Sequence, residues 1–238
     1  TTDYHTASTY TIPLAGAAGP GVASSDGNKL YVNTLNGIKV VNLQALVPTP
    51  PPSPTPTIYF DMVLDETRGW IYGSDSAGNK IDVLSTTTLE LVKSFVLVNG
   101  ATPKGIALSP DGSELAVAQN GASSLLFLNP DTGATVATII PNVPNPKMPY
   151  DLVYGRSGRL YSSGNPGMGG SDYIHVIDTV THTEISKSSF TVRSSPSLAI
   201  SSDKNSLFAT EADNSKTFYK FNVSTDTIPT PTSTTTSG

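Results

Sequence analysis

Two aspartates, Asp61 and Asp151, begin similar short segments, Asp-Met-Val-Leu and Asp-Leu-Val-Tyr. If the fold superposes these segments, the two carboxylates come to one rim, where they could hold a Ca²⁺ ion or a polar ligand. In the alternative that we favour, they cap turns or pair with the nearby Lys104 and Lys147. The sequence has no EF-hand spacing, so we expect no cofactor and no bound metal.

Three histidines are the other candidates for acid–base chemistry. His5 and His182 lie in segments that we expect to be solvated. His175 lies at a predicted strand position that varies among the repeats described below, which is typical of a surface or interface position. No Ser-His-Asp spacing or GxSxG motif accompanies it, so the sequence predicts no catalytic residues.

Other residues are candidates for ligand or glycan contact. A glycine-rich loop, residues 164–171, precedes a predicted strand and lacks the Lys-Ser/Thr of a phosphate-binding loop. Near this loop Tyr150, Tyr161 and Tyr173 could stack on a sugar, although each also suits a strand. We take Asp61, Asp151, Tyr150 and Tyr173 as the candidate binding residues. Asn222 begins the one N-x-Ser sequon, which matters only in a host that glycosylates.

Composition excludes several functional classes. Charged residues are 14% of the 238 residues and the net charge is −5, so the clustered Lys and Arg of nucleic-acid binding are missing. The chain has no cysteine, hence no disulfide and no thiolate nucleophile. It has no long apolar window and no leader, so we expect no membrane insertion. Low charge and abundant Thr and Pro favour an exported prokaryotic protein.

Five segments repeat along the chain and must position these residues. They begin near residues 21, 61, 105, 151 and 197, and their first apolar positions are Val22, Met62, Ile106, Leu152 and Leu198. The period of roughly 40 to 46 residues is the blade length of β-propellers. Each copy reads as strand, turn, strand, with turn residues such as Asp26-Gly27 and Asp111-Gly112.

Two more strands follow each hairpin. The third strands are predicted at 38–41, 81–84, 125–128, 174–177 and 218–221, and fourth strands at 91–97, 135–140 and 185–192. Two columns are uniformly apolar, as blade-to-blade packing requires: Leu30, Ile71, Leu115, Leu160 and Leu207, and Val41, Leu84, Leu128, Ile177 and Phe221. Helical periodicity is absent. The sequence therefore predicts an all-β fold, a β-propeller of about five four-stranded antiparallel blades over residues 1–226.

The third and fourth units resemble a known repeat family. The segment from Thr102, with GIALSPDGSELAV, and the segment from Tyr173, with VIDTVTHTE, resemble YVTN-type β-propeller repeats. This resemblance implies a propeller, usually of seven blades, in surface-layer and other cell-surface proteins, in binding modules, or in relatives of lactonases and lyases. The metal-ligand set of the lactonase-type propellers cannot be traced in this chain.

Proline-rich segments raise the question of ring closure. The run of residues 47–57 fills the length of a fourth strand, and proline is tolerated at such an edge. Residues 6–14 also read as a fourth strand, and residues 227–238 form a Pro/Thr-rich tail or edge strand. If residues 6–14 complete the fifth unit, the ring closes with five blades, which we favour. If the tail completes it, the chain is part of a larger ring.

The leading functional prediction is a non-catalytic extracellular or cell-surface propeller that serves in assembly or in binding protein or glycan. Its partners would be other protein subunits or surface glycans, with self-assembly through strand edges and terminal segments. The alternative is a lactonase-like hydrolase or lyase with Asp61, Asp151 or His175 in the channel. A bound metal at the rim would favour the alternative.

Overall fold

The structure is a computed structural model that describes residues 18–43, 47–49, 57–141, 148–156, 158–165, 170–193, 195–211 and 217–235. These residues form twenty β-strands in five sheets, and they form no helix. In the part of the chain so described, no helix is long and apolar enough to cross a membrane.

Each sheet is an antiparallel meander of four strands in chain order, a propeller blade. The first blade holds β1 (Ala18–Ala23), β2 (Lys29–Thr34), β3 (Gly37–Asn42) and β4 (Val47–Thr49). The second holds β5 (Met62–Asp65), β6 (Trp70–Asp75), β7 (Lys80–Ser85) and β8 (Leu91–Val96). The third holds β9 (Pro103–Leu108), β10 (Leu115–Gln119), β11 (Ser124–Leu128) and β12 (Thr135–Ile139).

The last two blades repeat this order. The fourth holds β13 (Met148–Tyr154), β14 (Arg159–Asn165), β15 (Ser171–Asp178) and β16 (Thr183–Arg193). The fifth holds β17 (Ser197–Ile200), β18 (Ser206–Thr210), β19 (Thr217–Asn222) and β20 (Thr232–Thr235). The prediction of an all-β propeller with five four-stranded blades is confirmed.

A repeated Ser-x-Asp turn joins the first two strands of three blades. In the third blade the Ser109 hydroxyl donates to Asp111 Oδ1 at 2.6 Å and accepts from the Glu114 N–H at 2.9 Å. Gly112 takes the left-handed φ of 70° that the turn needs. Ser24 with Asp26, and Ser201 with Asp203, form the same bonds in the first and fifth blades. The Asp-Gly signal in the sequence therefore marks the hairpins correctly.

Apolar side chains fill the spaces between neighbouring blades. We call the sheet face toward the preceding blade the back face and the opposite one the forward face. Leu160 and Ile177 on the back face of the fourth blade pack with Ala116 and Phe127 on the forward face of the third. The other three blade pairs have equivalent clusters. Both predicted apolar columns lie on back faces, and all members except the half-buried Leu30 are buried.

Proline-containing segments form the outer strands of the first and fifth blades. Pro48 lies opposite Val41 in the short strand β4, at the sheet edge where an unused N–H is tolerated. Strand β20 pairs with β19 and is the fourth strand of the fifth blade. The C-terminal segment thus occupies the position that the favoured closure gave to residues 6–14, which lie outside the described residues.

Strand register in the first blade differs from the repeat alignment. Gly21 lies opposite Val32, as Met62 lies opposite Gly73 and Leu198 opposite Ala209. Gly21, and not Val22, is therefore the equivalent of the first apolar positions, and Val22 is on the forward face. The segment from Gly21 to Leu30 is one residue shorter than the segment from Gly105 to Leu115, which moves Gly21 into this position. The irregular pairing just before it, between Ala18 and Gly21, recurs in the third and fourth blades.

The first strands of successive blades contact one another around a central channel. Contacts join β1 to β5, β5 to β9, β9 to β13 and β13 to β17. Among the described residues, no strand pair between the fifth and first blades reaches a similar contact. The described blades therefore form an arc. The forward face of the fifth blade ends it on one side, and on the other the back face of the first blade is largely buried, with Val41 0% and Val32 7% exposed.

Candidate functional site

The up-and-down blades give the arc two different faces. Blade-to-blade connections and the loops between second and third strands lie at one end of the strands, the connection face. The other two turns of each blade lie at the opposite end, the turn face. The candidate residues Asp61, Tyr150 and Asp151 lie on or beside first strands, toward the connection face.

Asp61 joins the second blade to the third. Its Oδ1 accepts from the N–H of Met62 at 2.8 Å, and its Oδ2 accepts from the N–H of Ile106 in the third blade, also at 2.8 Å. Both oxygens of the carboxylate thus bind backbone amides.

Asp151 repeats this arrangement two blades later. Its Oδ1 accepts from the N–H of Leu152 at 2.8 Å, and its Oδ2 accepts from the N–H of Leu198 in the fifth blade at 2.7 Å. Gly105, at the equivalent position of the third blade, lies directly against it. A Cβ on Gly105 would be 2.6 Å from Asp151 Cα, so only glycine fits there. In the first blade the shifted register gives this position to Pro20, and not to Gly21.

The environment of the two carboxylates favours their protonated forms. Burial, together with the negative charge of Asp151, raises the pKa of Asp61 well above its ordinary value, against the opposing amide bonds. Burial also raises the pKa of Asp151. A small cavity of about 390 Å³ lies beside them in the channel, lined also by Ile106 and Leu198.

The carboxylates bind backbone amides across the blade junctions, a role that the sequence analysis did not name. Of the two predicted lysine partners, Lys104 lies over a phenylalanine ring, and Lys147 is outside the described residues, so the pairing with Lys147 stays a prediction. Within the described ranges, no group of three or more His, Asp and Glu side chains is arranged to hold a metal. The arrangement is a pair of blade-to-blade connectors.

An aromatic pair and a lysine lie at the channel mouth. The rings of Phe60 and Tyr150 meet edge to face, with centroids 5.2 Å apart, and Lys104 Nζ is 4.3 Å from the Phe60 centroid. Burial lowers the pKa of Lys104. Sequence reasoning found Tyr150 but missed Phe60. The signal was present, because each aromatic residue directly precedes one of the paired aspartates.

Tyr173 lies away from this mouth. It is on β15, the third strand of its blade, whereas Tyr150 is on the first, so two strand spacings of about 4.8 Å separate their backbones. Lys187 Nζ lies over the Tyr173 ring, 4.4 Å from the ring centroid. Much of the glycine-rich loop, residues 166–169, lies outside the described residues. The structure therefore does not join the two tyrosines into one site.

His175 is buried on the back face of its blade, so of the two expected positions it occupies the interface and not the surface, and it contacts two acids. Its Nδ1 is 2.9 Å from Glu184 Oε1 and its Nε2 is 3.6 Å from Asp172 Oδ2. Burial lowers the pKa of His175, but the hydrogen bonds and charges of Asp172 and Glu184 outweigh this and raise it to about 9. With a side chain only 3% exposed, the imidazolium cannot meet a substrate.

The remaining predicted residues are also accounted for. His182 is not fully solvated: its Nε2 is 2.6 Å from Glu114 Oε2 and its ring packs on Phe127. His5 lies outside the described residues. Asn222 is exposed at the end of β19, where its Oδ1 accepts from the N–H of Ser224 at 3.0 Å.

Exposed apolar side chains are distributed unevenly between the two faces. Among the described loops, five large apolar side chains are exposed, and four of them lie on the connection face: Leu35, Ile58, Val98 and Ile140. The fifth, Val180, lies on the turn face. At strand ends, Met148, 43% exposed at the start of β13, adds to the connection face, and Leu91, 55% exposed at the start of β8, adds to the turn face. Apolar surface concentrated in this way is typical of interaction sites.

Comparisons with known proteins give the fold. No protein family and no curated protein matches the sequence. Among solved structures, virginiamycin B lyase from Staphylococcus aureus is 18% identical, with a TM-score of 0.69 over 93% of this chain and 70% of that one. The β-propeller domain of Cps50 (Swd1) from Myceliophteria thermophila is 14% identical, with a TM-score of 0.75 over 96% and 74%.

Other similar structures come from different assemblies. A chain of the mitotic checkpoint complex is 14% identical, with a TM-score of 0.73 over 93% of this chain and 66% of that one. Hydrazine synthase from Kuenenia stuttgartiensis is 15% identical, with a TM-score of 0.62 over 77% and 51%, so the chain spans about half its length. At these identities the likeness shows the fold alone. The chain is an all-β protein with five four-stranded antiparallel blades in a propeller arrangement.

Proposed function

We propose that this chain is a non-catalytic, protein-binding propeller module of an exported, cell-surface protein, and that its partner docks on the connection face. The concentration of exposed apolar side chains on that face carries the proposal. Ile58 is 57% exposed, Val98 64% and Ile140 71%. Partner binding would remove this surface from water, and each fully buried side chain of this kind contributes about 1.5 to 3 kcal/mol.

The channel mouth supplies the polar part of the same surface. Phe60 and Tyr150 offer aromatic surface, and Lys104 offers one partly buried cation between blades. A protein partner with apolar side chains and one carboxylate fits this arrangement. Aromatic residues flanked by apolar groups are the usual centres of protein interfaces.

The contacts of the other candidates favour binding over a lactonase-like activity. The carboxylates of Asp61 and Asp151 already accept backbone N–H groups, and His175 is enclosed by acids. Low charge and the Pro/Thr-rich segments support export. The GIALSPDG and VIDTVT motifs support placing the chain among YVTN-type propellers, in a surface-layer or related context.

Affinity capture tests this proposal. The chain is immobilised and exposed to the cell-surface fraction of its host, and bound proteins are quantified by mass spectrometry. We expect a partner that binds the unchanged chain and Val180→Glu equally, but binds Ile58→Glu/Ile140→Glu at least tenfold less. Val180 is the matched control because it is 80% exposed on the turn face.

Two results would count against the proposal. One is capture that both variants retain equally; the other is recovery of surface glycan in place of protein. Folding of each variant is checked by circular dichroism, and since the substituted residues are exposed, the spectra should be unchanged.

A further inference from the structure

Forward faces of the inner blades are buried by the next blade. The second-strand position is buried in the first four blades, as Tyr31, Tyr72, Ala116 and Tyr161, each no more than 3% exposed. A third-strand position is buried equally well, as Ile38, Ile81, Leu125 and Ile174, each no more than 1% exposed. Strand register shows that Phe208 and Phe218 occupy these two positions in the fifth blade.

The fifth blade leaves these same positions uncovered in the described structure. Phe218 is 41% exposed and Phe208 is half-buried. Their rings stack on each other, with centroids 5.5 Å apart and planes inclined by 27°. Lys220 is exposed on this face. The equivalent residues of the three preceding blades, Val83, Phe127 and Val176, are fully buried. This face therefore has the apolar pattern of an inner blade with one added cation.

We infer that the forward face of the fifth blade packs against a further four-stranded blade carried by the same polypeptide. Four successive interfaces within the chain set the rule for such packing, since each joins a forward face to a back face with an apolar second-strand residue. The additional blade has this apolar back face, together with a carboxylate that reaches Lys220. It is a partner of defined chemistry, independent of the connection face.

A second copy of the chain fits this face less well. The matching back face in a second copy is that of its first blade, which is already largely buried, with Val41 0% and Val32 7% exposed. Its described strands also carry Lys39 and no acidic residue. Two lysines would then share one interface, which is unfavourable in a partly buried setting. This chain also leaves a quarter to a third of the length of three matched propeller chains uncovered. That length corresponds to about two blades in a ring of seven.

Thiol labelling tests the inference, because the chain contains no cysteine. Phe218→Cys introduces a single thiol on the forward face of the fifth blade, and Val180→Cys places one on the turn face as a control. Each is reacted with a maleimide, first in the 238-residue chain and then in the full polypeptide expressed by the host. In the short chain we expect both thiols to react at similar rates.

In the full polypeptide we expect the thiol at position 218 to react on the order of 100-fold more slowly, because a buried group reacts only when the blades open. The thiol at position 180 should keep its rate. Equal reactivity of position 218 in both proteins would overturn the inference. So would protection that develops in the short chain as its concentration rises, which would identify a second copy as the occupant.

A second variant guards against a folding defect. Lys220→Cys lies on the same face and removes no apolar contact, so it should fold even if Phe218→Cys does not. Its thiol is expected to show the same protection in the full polypeptide. A fast-reacting thiol at position 220 in a correctly folded full polypeptide would refute the packing of a further blade on this face.

Discussion

His175 is the residue whose environment departs most from that of an ordinary surface histidine. Two acids flank the ring, at 2.9 Å and 3.6 Å, and both belong to its own blade. In water such pairs contribute little, but burial strengthens the attraction. The imidazolium therefore serves as an internal counter-charge within the fourth blade.

This pairing predicts a dependence of stability on pH. The pKa of His175 is raised from 6.5 to about 9 in the folded protein, so its contribution is fully present below pH 6.5 and is lost as the pH rises through 9. We expect His175→Gln to lower the free energy of unfolding more at pH 6 than at pH 10. The difference should be on the order of 1 to 3 kcal/mol, since one pKa unit corresponds to about 1.4 kcal/mol.

Urea denaturation at the two pH values measures this difference, with the unchanged chain as reference. An equal effect of the substitution at both values would mean that the ring is not charged in the folded protein.

Single residues also mark the limit of sequence reasoning. The repeat correctly placed Asp61 and Asp151 at equivalent positions, because strand spacing is periodic. It could not name their partners, since these are backbone amides of the next blade and have no sequence signature. The sequence also could not name the acids that flank His175. Asp172 lies on the same strand, where the pairing with β16 is irregular, and Glu184 becomes a neighbour only through the pairing of β15 with β16.

At the scale of elements, the first strands are linked by side chains as well as by packing. Asp151 on β13 holds β17, and Asp61 beside β5 holds β9. These bonds connect sheets that share no ladder hydrogen bonds. Alternate blade junctions therefore carry one carboxylate connector each.

Replacing one connector should loosen its junction. In Asp151→Asn, the single amide oxygen can accept from only one of the two backbone N–H groups, those of Leu152 and Leu198. The amide nitrogen then faces the other N–H, which is left as an unsatisfied buried donor. We expect a loss of about 1 to 3 kcal/mol in the free energy of unfolding. Asp26→Asn, in an exposed turn with a similar set of local bonds, is the control and should cost less. Chemical denaturation that shows no difference between the two variants would contradict the connector role.

The repeat spacing predicted some of the outer strands and their register correctly, and missed others. The count between equivalent strands placed a fourth strand within the proline-rich run, and β4 forms there over three residues. The same count could not choose between residues 6–14 and the C-terminal tail, because both lie at suitable distances. It also missed the shift at Gly21, although the segment from Gly21 to Leu30 is one residue shorter than the segment from Gly105 to Leu115.

At the scale of the whole molecule, the arc presents three distinct surfaces. The connection face is apolar with an aromatic mouth, the turn face is built from hydrogen-bonded turns, and the fifth blade ends in an apolar sheet face. Only the last follows from blade packing. The connection face is the surface that the proposed function requires.

Hydrogen exchange with the captured partner tests the proposed function most directly. The exchange of backbone amides is followed by mass spectrometry in the chain with and without the protein recovered by affinity capture. We predict slower exchange in loops of the connection face, at residues 35–36 and 97–102 and beside Phe60. Unchanged exchange there, with protection confined to turn-face residues such as 179–182, would contradict the account.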